Sequence, residues 1–298
     1  MKYMTKEWYE TMQKTDLHLL LRCSKDADIF SEKTFKKLYK REERKFLKSR
    51  EKMYDSSVID ELSNVFSDEP VLTTPEGETV EPTDEDKEFL QALKGNIFDR
   101  LDESPSFDPE HFKNVFRRGY KNSLKQYRSY LPDDILNKIV DIRVLALGYA
   151  SKEEKKEITR FCRQNNKAVD SAVAEYEKTF EKEFRKNRPS FVDELDLHDS
   201  TVGSCRKRGN DIVITLDNCC YSNISKIRFK NCTVIKQDAP LRGAWFLYDE
   251  TYKNGGRYEL HFLLEKTTRD PVSFNLIDYI VSADDVEIYY SAGNEDNQ

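Results

Sequence analysis

The spacing of apolar residues divides the chain into a helical part and a part with strand periodicity. In the first part, apolar positions recur every three to four residues, which is the period of an amphipathic helix. The longest stripe runs from Ile158 to Phe184 and predicts one long helix. Beyond Pro189, short runs alternate between apolar and polar residues, as in strands with one buried face. The pattern predicts an α+β protein with a helical domain at 1–188 and a mostly antiparallel β-sheet domain at 189–298.

Two local signals stand out within these parts. The run from Ile135 to Leu147 is apolar nearly all round, which predicts a buried central helix. In the second part, Trp245 to Tyr252 and Arg257 to Leu264 alternate in polarity, and the connection at 253–256 contains Asn-Gly. Because Asn-Gly suits the tight turns of β-hairpins, this segment predicts a hairpin with a four-residue connection.

One face of the predicted hairpin collects titratable side chains. With the four-residue connection, Glu250 lies opposite Glu259, and Tyr248 lies opposite His261. A loop one residue shorter would place Asp249 opposite His261 instead. Facing carboxylates repel each other unless a cation, a shared proton or a basic group of a partner lies between them. With the His198-Asp199 pair of the same domain, the candidate binding residues are Tyr248, Glu250, Glu259, His261, His198 and Asp199.

These residues allow more than one function. Carboxylates and tyrosines on one exposed face favour a non-enzymatic protein that binds another protein. A histidine beside two carboxylates could instead bind a divalent metal, which makes a metal-dependent hydrolase an alternative. The sequence contains no catalytic triad, phosphate-binding loop or dinucleotide fingerprint, and nothing places a base beside Ser204. The sequence therefore identifies no catalytic residue and leans against an enzyme, and neither a metal nor a cofactor is expected for the protein-binding interpretation.

Charge separates the two parts further. Residues 1–190 contain 37 basic and 37 acidic residues, whereas residues 191–298 contain 12 and 18 and carry the whole net charge of -6. Because phosphate contacts require cations, this excess argues against nucleic-acid binding by the second part. Basic helices predicted at 33–52 and 110–130 make nucleic acid a second alternative partner. The second helix carries a row of cations, namely Lys113, Arg117, Lys121 and Lys125.

An acidic segment follows the first basic helix. Residues 60–86 carry ten acids and no lysine or arginine, and they include a proline-containing loop at 67–82. This segment could neutralise the basic helix, or it could act as a displaceable mimic of nucleic acid. The aromatic residues of the second helix are expected to form its core stripe, with the cations on the solvated side, and the first helix is expected to present a solvated or internally paired face.

The remaining features concern location. The first residues lack the apolar stretch of a secretory signal, and no apolar run reaches the roughly 20 residues that cross a bilayer. None of the six cysteines forms a C-x-x-C pair, so we expect them to be reduced. These features predict a cytoplasmic protein without a membrane partner.

Several stretches resemble a known family. They are Met1–Tyr9, Asp141–Ala150, Leu197–Ser200, Trp245–Glu250 and Tyr258–His261. They look like domain-of-unknown-function family 4085, an uncharacterised family of Gram-positive bacterial proteins. The resemblance spans most of the chain and is weakest in the loop at 67–82, but it implies no activity or cofactor. The sheet part is also loosely similar to small immunity-type domains of bacterial toxin systems, by analogy of pattern alone.

Overall fold

The computed structural model describes residues 1–54, 72–73, 79–80, 107–218, 223–268, 270 and 272–291. Its helices and its antiparallel eight-stranded sheet confirm the α+β class. The chain forms two compact units. The sheet unit comprises 1–22, 126–138 and 152–298, and the helical unit comprises 23–125 and 139–151.

The helices lie mainly in the first two thirds of the chain. They are α1 (Lys6–Met12), α2 (Glu32–Lys52), α3 (Pro109–Tyr130), α4 (Asp133–Leu136), α5 (Ile142–Leu145), α6 (Lys152–Phe184) and α7 (Ser190–Glu194), with a 3₁₀ turn at Lys25–Ala27. Side chains cap the N-termini of two of these helices. The Thr5 hydroxyl accepts a hydrogen bond from the Trp8 N–H at α1, and the Ser31 hydroxyl accepts one from the Thr34 N–H at α2. In the described part of the chain, no helix is long and apolar enough to cross a bilayer.

Most strands follow α7. They are β1 (Arg22–Cys23), β2 (Leu72–Thr73), β3 (Thr79–Val80), β4 (Tyr149–Ala150), β5 (Thr201–Arg208), β6 (Asp211–Asn218), β7 (Ile224–Lys230), β8 (Thr233–Gln237), β9 (Trp245–Asn254), β10 (Arg257–Lys266), β11 (Asn275–Ala283) and β12 (Asp285–Tyr290). Apart from β2 and β3, which pair with each other, the acidic loop at 67–82 lies outside the described residues.

The eight-stranded sheet curls around one apolar core. Its strand order is β12-β7-β6-β5-β9-β10-β11-β8. Phe229 on β7 and Phe262 on β10 are four strands apart in this order, yet their ring centroids are 5.9 Å apart. Both rings belong to a buried cluster to which β6, β7 and β9–β12 contribute. The inward face therefore packs against itself, as a strongly twisted sheet can.

The opposite face of β9 and β10 is covered by α1 and α6. Trp8 and Tyr9 of α1 pack with Val169 of α6 and with Leu263 of β10 in a second buried cluster. The Trp8 indole N–H also donates to the Val169 carbonyl over 3.2 Å. The compact units thus group the chain differently from the expected division at 188, because the apolar stripe of α6 packs on the sheet.

Helix α6 also covers an edge of the sheet. Strand β5 pairs with β9 only at Thr201 and Trp245, so most of that side of β9 has no neighbouring strand among the residues that the structure describes. There the Thr251 N–H donates to the Tyr176 hydroxyl and the Lys253 N–H donates to the Glu183 carboxylate, both over 2.9 Å. Side chains of a helix therefore replace the hydrogen bonds of a missing strand.

The helical unit is built on contacts between α2 and α3. The ring of Tyr39 lies 5.2 Å from those of Phe116 and Tyr120, centroid to centroid. Leu38 and Val144 are buried in the same cluster. The aromatic residues of α3 that face α2 therefore lie in a core stripe, as expected for the second basic helix, and those of α2 pack against them.

The predicted buried helix from Ile135 to Leu147 is wrong as one helix, and its burial is right only in part. The segment forms α4 and α5 with an interruption between them. Asp141 accepts the Arg143 N–H and so begins a new helix in the middle of the run. The run is buried at Ile135 and from Val144 to Leu147, whereas Asn137, Lys138 and Val140 in the interruption are exposed.

The turn of the β9–β10 hairpin gives a testable prediction. Gly255 has φ 57°, a conformation that β-branched residues strongly disfavour and that asparagine tolerates. We expect Gly255→Val to lower the free energy of unfolding by roughly 1–3 kcal/mol and Gly255→Asn to change it by less than about 0.5 kcal/mol. Tryptophan fluorescence during urea unfolding measures this, because Trp8 and Trp245 both lie in the sheet unit. Equal loss in both variants would contradict the assignment of the turn.

Candidate functional site

The hairpin differs from the predicted one in register. Its connection is the two-residue turn Gly255-Gly256, with Asn254 paired to Arg257. Glu250 therefore faces His261 rather than Glu259. The predicted pairing is wrong by two residues, because two successive positive φ angles close the turn earlier than a four-residue loop would.

A shift by two residues keeps every side chain on its predicted face. Glu259 faces Tyr252, and Tyr248 faces Leu263. Asp249 pairs with Phe262 and lies on the opposite face. The expected carboxylates, tyrosines and histidine of the hairpin thus share one face, but no two carboxylates stand directly opposite each other.

The Glu250 carboxylate is the centre of this face and is fully buried. Oε1 accepts the N–H groups of Tyr3 and Met4 over 2.9 and 2.6 Å. Oε2 accepts the Lys2 N–H and the Tyr252 hydroxyl, both over 2.7 Å. Two carboxylate oxygens offer about four lone pairs, so these four donors saturate the group. Glu250 therefore holds the first residues of the chain on the sheet.

His261 lies beside this carboxylate and is itself buried. Its Nε2 is 2.6 Å from Oε1 of Glu259, whereas its Nδ1 is 4.0 Å from Oε2 of Glu250 and has no hydrogen bond among the described residues. Because an ionised carboxylate can only accept, we assign the proton to Nε2. Burial lowers the pKa of His261, although the hydrogen bond to Glu259 opposes the shift. The ring is therefore neutral at pH 7.

Tyr248 and the His198-Asp199 pair lie at the margin of the face. The Tyr248 ring packs edge-on against Trp8, with centroids 4.9 Å apart, and its hydroxyl donates to the sulfur of Met12. His198 lies 5.7 Å from the Tyr248 ring and 3.3 Å from the Asp199 carboxylate. Both members of the pair are about half exposed. The structure thus places this pair next to Tyr248, not at Glu250 and His261.

The cluster formed by Glu250, Glu259 and His261 has the chemistry of a structural site. Side-chain exposure is 0% for Glu250 and 5% for His261, so a partner cannot reach them while residues 1–4 lie on the sheet. The lone pairs of Glu250 that a metal would need already accept hydrogen bonds. Among the described residues, no group of three or more His, Cys, Asp or Glu side chains could hold a metal ion. The hydrolase alternative therefore has no support in this cluster.

Asp249 is a titratable group that the pattern did not single out as a site residue. It lines two hollows, one with Tyr176 and Val192 and the other with Leu197 and His198. Burial, with smaller contributions from the carboxylates of Asp196 and Glu250, raises its pKa from 3.8 to about 7. Its alternation with Glu250 along the strand could have shown that it faces inward, but only the fold brings Asp196 near it.

The cations predicted as a nucleic-acid site lie along α3. Lys113 pairs with Glu110 over 2.6 Å, and Arg117 donates to Asn114 over 3.1 Å. Lys121 and Lys125 are exposed one and two turns further along the helix. The four residues form one row, as their spacing predicts.

Glu250 gives a prediction on stability. The amide of Glu250→Gln would point an N–H₂ group at backbone donors, so we expect the free energy of unfolding to fall by on the order of 2–4 kcal/mol. Urea unfolding followed by tryptophan fluorescence measures the loss. The control is Glu287→Gln on β12, a partly exposed ion pair with Lys230 whose loss should cost about 1 kcal/mol at most. A Glu250→Gln protein as stable as the parent would refute the structural role.

Asp249 gives a prediction on pH dependence. With its pKa raised from 3.8 to about 7 in the folded state, the folded chain binds more protons between these values, and stability falls as pH rises through that window. Asp249→Asn should therefore be more stable than the parent at pH 8, by on the order of 1–3 kcal/mol, and the difference should nearly vanish at pH 4. Urea midpoints at both pH values measure it, with the exposed Asp285→Asn as control. A difference that does not change with pH would contradict the prediction.

Comparison with known proteins assigns the chain to a family. A search of curated proteins and a search of solved structures found no match. The family model described as "Protein of unknown function (DUF4085)" matches residues 100–272, which is more than half of the 298 residues. The match includes α6 and the β9–β10 hairpin with Glu250 and His261. The chain therefore belongs to the DUF4085 family.

Proposed function

We propose that the protein is a non-enzymatic binding protein whose helical unit binds an acidic segment of another protein. The observation that carries the proposal is an exposed apolar pair directly before the basic helix α2: Ile29 is 68% and Phe30 is 66% exposed. Large exposed apolar side chains are common at protein contact surfaces. The Arg143 guanidinium lies 4.8 Å from the Phe30 ring centroid, and aromatic and arginine side chains are frequent anchors of such contacts.

The charge of the same unit indicates the chemistry of the partner. Helix α2 carries ten cations and four acids in 21 residues, and the part of α3 that belongs to this unit, up to residue 125, carries five cations and one acid. Lys37, Lys40 and Arg44 are exposed, and none of them pairs with an acid in the part of the chain that the structure describes. An acidic segment with at least one apolar side chain would complement both features.

Nucleic acid is the competing partner for this surface. Base stacking requires exposed aromatic rings between the cations. Phe35, Tyr39 and Phe46 of α2 instead pack against Phe116 or Tyr120 of α3. Contact with phosphates would use the cations alone and would leave Ile29 and Phe30 without a role, so we favour a protein.

The proposal keeps the protein-binding interpretation but moves it away from the hairpin face, because Glu250 and His261 are buried. We also propose that the protein is located in the cytoplasm. That location is supported by the four described cysteines, Cys23, Cys162, Cys205 and Cys232, all of which are free thiols.

Site-specific cross-linking tests the proposal. A photoreactive phenylalanine analogue replaces Phe30 in the full chain, which is then expressed and irradiated in cells of the source organism. We expect an adduct that protease removes and nuclease does not. The adduct should fall at least fivefold when Lys37, Lys40 and Arg44 are changed to Gln, because the attraction to an acidic segment is lost.

The matched control removes the same charge elsewhere. Changing the exposed Lys178, Lys207 and Arg242 of the sheet unit to Gln should leave the adduct unchanged. An adduct that nuclease removes would assign the surface to nucleic acid and overturn the proposal. Equal loss in both triple variants would overturn it as well, since the cations of α2 would then have no specific role.

A further inference from the structure

A cleft with cationic walls lies on the outer face of the curled sheet. It has a volume of about 290 Å³ and is lined by side chains of β5, β6, β7 and β12. Four of the lining residues are cations, namely Arg206, Arg208, Lys226 and Arg228, and the described lining includes no carboxylate. This cleft lies in the part of the chain whose net negative charge argued against phosphate contacts.

Strand pairing explains how the cleft forms. Val213 on β6 pairs with Arg206 on β5 and with Arg228 on β7. Thr215 on β6 likewise pairs with Ser204 and Lys226. Adjacent strands are about 4.8 Å apart, so short side chains form a floor between two walls of long cationic ones.

The charges of the cleft are only partly balanced. Arg228 donates to Asp211 over 2.8 Å and lies 3.5 Å from Glu287. Lys226 lies 3.6 Å from the centroid of the Tyr289 ring and forms no ion pair with a described acid. Arg206 and Arg208 are exposed and form no ion pair with a described acid; Asp211 lies opposite Arg208 in the strand register but pairs with Arg228. Cations gathered in this way repel one another unless an anion lies between them.

The floor and one wall supply neutral hydrogen-bonding groups. The Ser204 and Thr215 hydroxyl oxygens are 2.8 Å apart, so one donates to the other and the second can donate into the cleft. Arginine side chains bind phosphate oxygens in a bidentate manner, and hydroxyls donate to the same oxygens.

We infer that this cleft binds the phosphate group of a small phosphorylated molecule. Three cations without an acidic partner match the charge of about -2 on a phosphate monoester. A volume of about 290 Å³ lies at the lower end of small-molecule pockets, which begin at about 300 Å³. The inference uses none of the residues of α2 or α3, so it stands or falls independently of the proposed protein partner.

Isothermal titration calorimetry of the full chain at about 20 mM salt tests the inference. The small probes are inorganic phosphate, ribose 5-phosphate and ATP, which distinguish a free anion from a phosphorylated metabolite and a nucleotide. A single-stranded oligonucleotide is titrated as the competing ligand. We expect at least one phosphorylated compound to bind more tightly than inorganic phosphate. Binding should weaken at least tenfold in Arg206→Gln and at least threefold at 200 mM salt, because charge supplies the attraction.

Lys207→Gln is the matched control. Lys207 is the next residue on β5, is exposed, and points to the other side of the strand. This variant should bind within twofold of the parent, and both variants should unfold at the parent's urea midpoint. Three results would overturn the inference. One is no binding of any probe, and another is equal weakening by both variants. The third is a single-stranded oligonucleotide that binds more tightly than every small probe and whose binding is lost in Arg206→Gln.

Discussion

The buried carboxylate of Glu250 determines how the sheet unit closes. A carboxylate that leaves water loses several kcal/mol of hydration unless hydrogen bonds replace it. Glu250 accepts three N–H groups from residues 2–4 and the hydroxyl of Tyr252. Because α1 begins two residues later, these bonds also direct Trp8 and Tyr9 onto the sheet. The face of the β9–β10 hairpin that is acidic and rich in tyrosine therefore makes contacts within the molecule.

The sequence predicts the helices and strands of this fold better than it predicts which residues contact each other between them. The hairpin and α6 follow from periodicity, because each buries one continuous stripe along its own length. The hairpin register does not follow, because the position of a tight turn depends on which two residues adopt positive φ, and 253–256 offers several choices. Three of the four donors to Glu250 are backbone N–H groups, which every residue except proline carries, so no side-chain pattern at residues 2–4 could reveal them.

For a similar reason, the net charge of a segment does not reveal a local surface of the opposite charge. The excess of acids at 191–298 is real, yet the outer sheet face gathers Arg206, Lys226 and Arg228. These residues are separated along the chain and meet only because β5, β6 and β7 pair in order. The basic helices are different, since their cations are close together in the sequence and remain together on the surface. Clusters of cations that are local in sequence could be predicted, whereas clusters assembled by strand pairing could not.

The contacts of Glu250 have a consequence for synthesis of the chain. Met4 and Glu250 are 246 residues apart, so at typical elongation rates the ribosome adds the carboxylate roughly 12–50 s after the amide it binds. Throughout that interval the apolar side of α1 has no sheet to cover, which leaves Trp8 and Tyr9 available to chaperones or to premature association. Residues 2–9 are thus synthesised well before the sheet on which they finally pack.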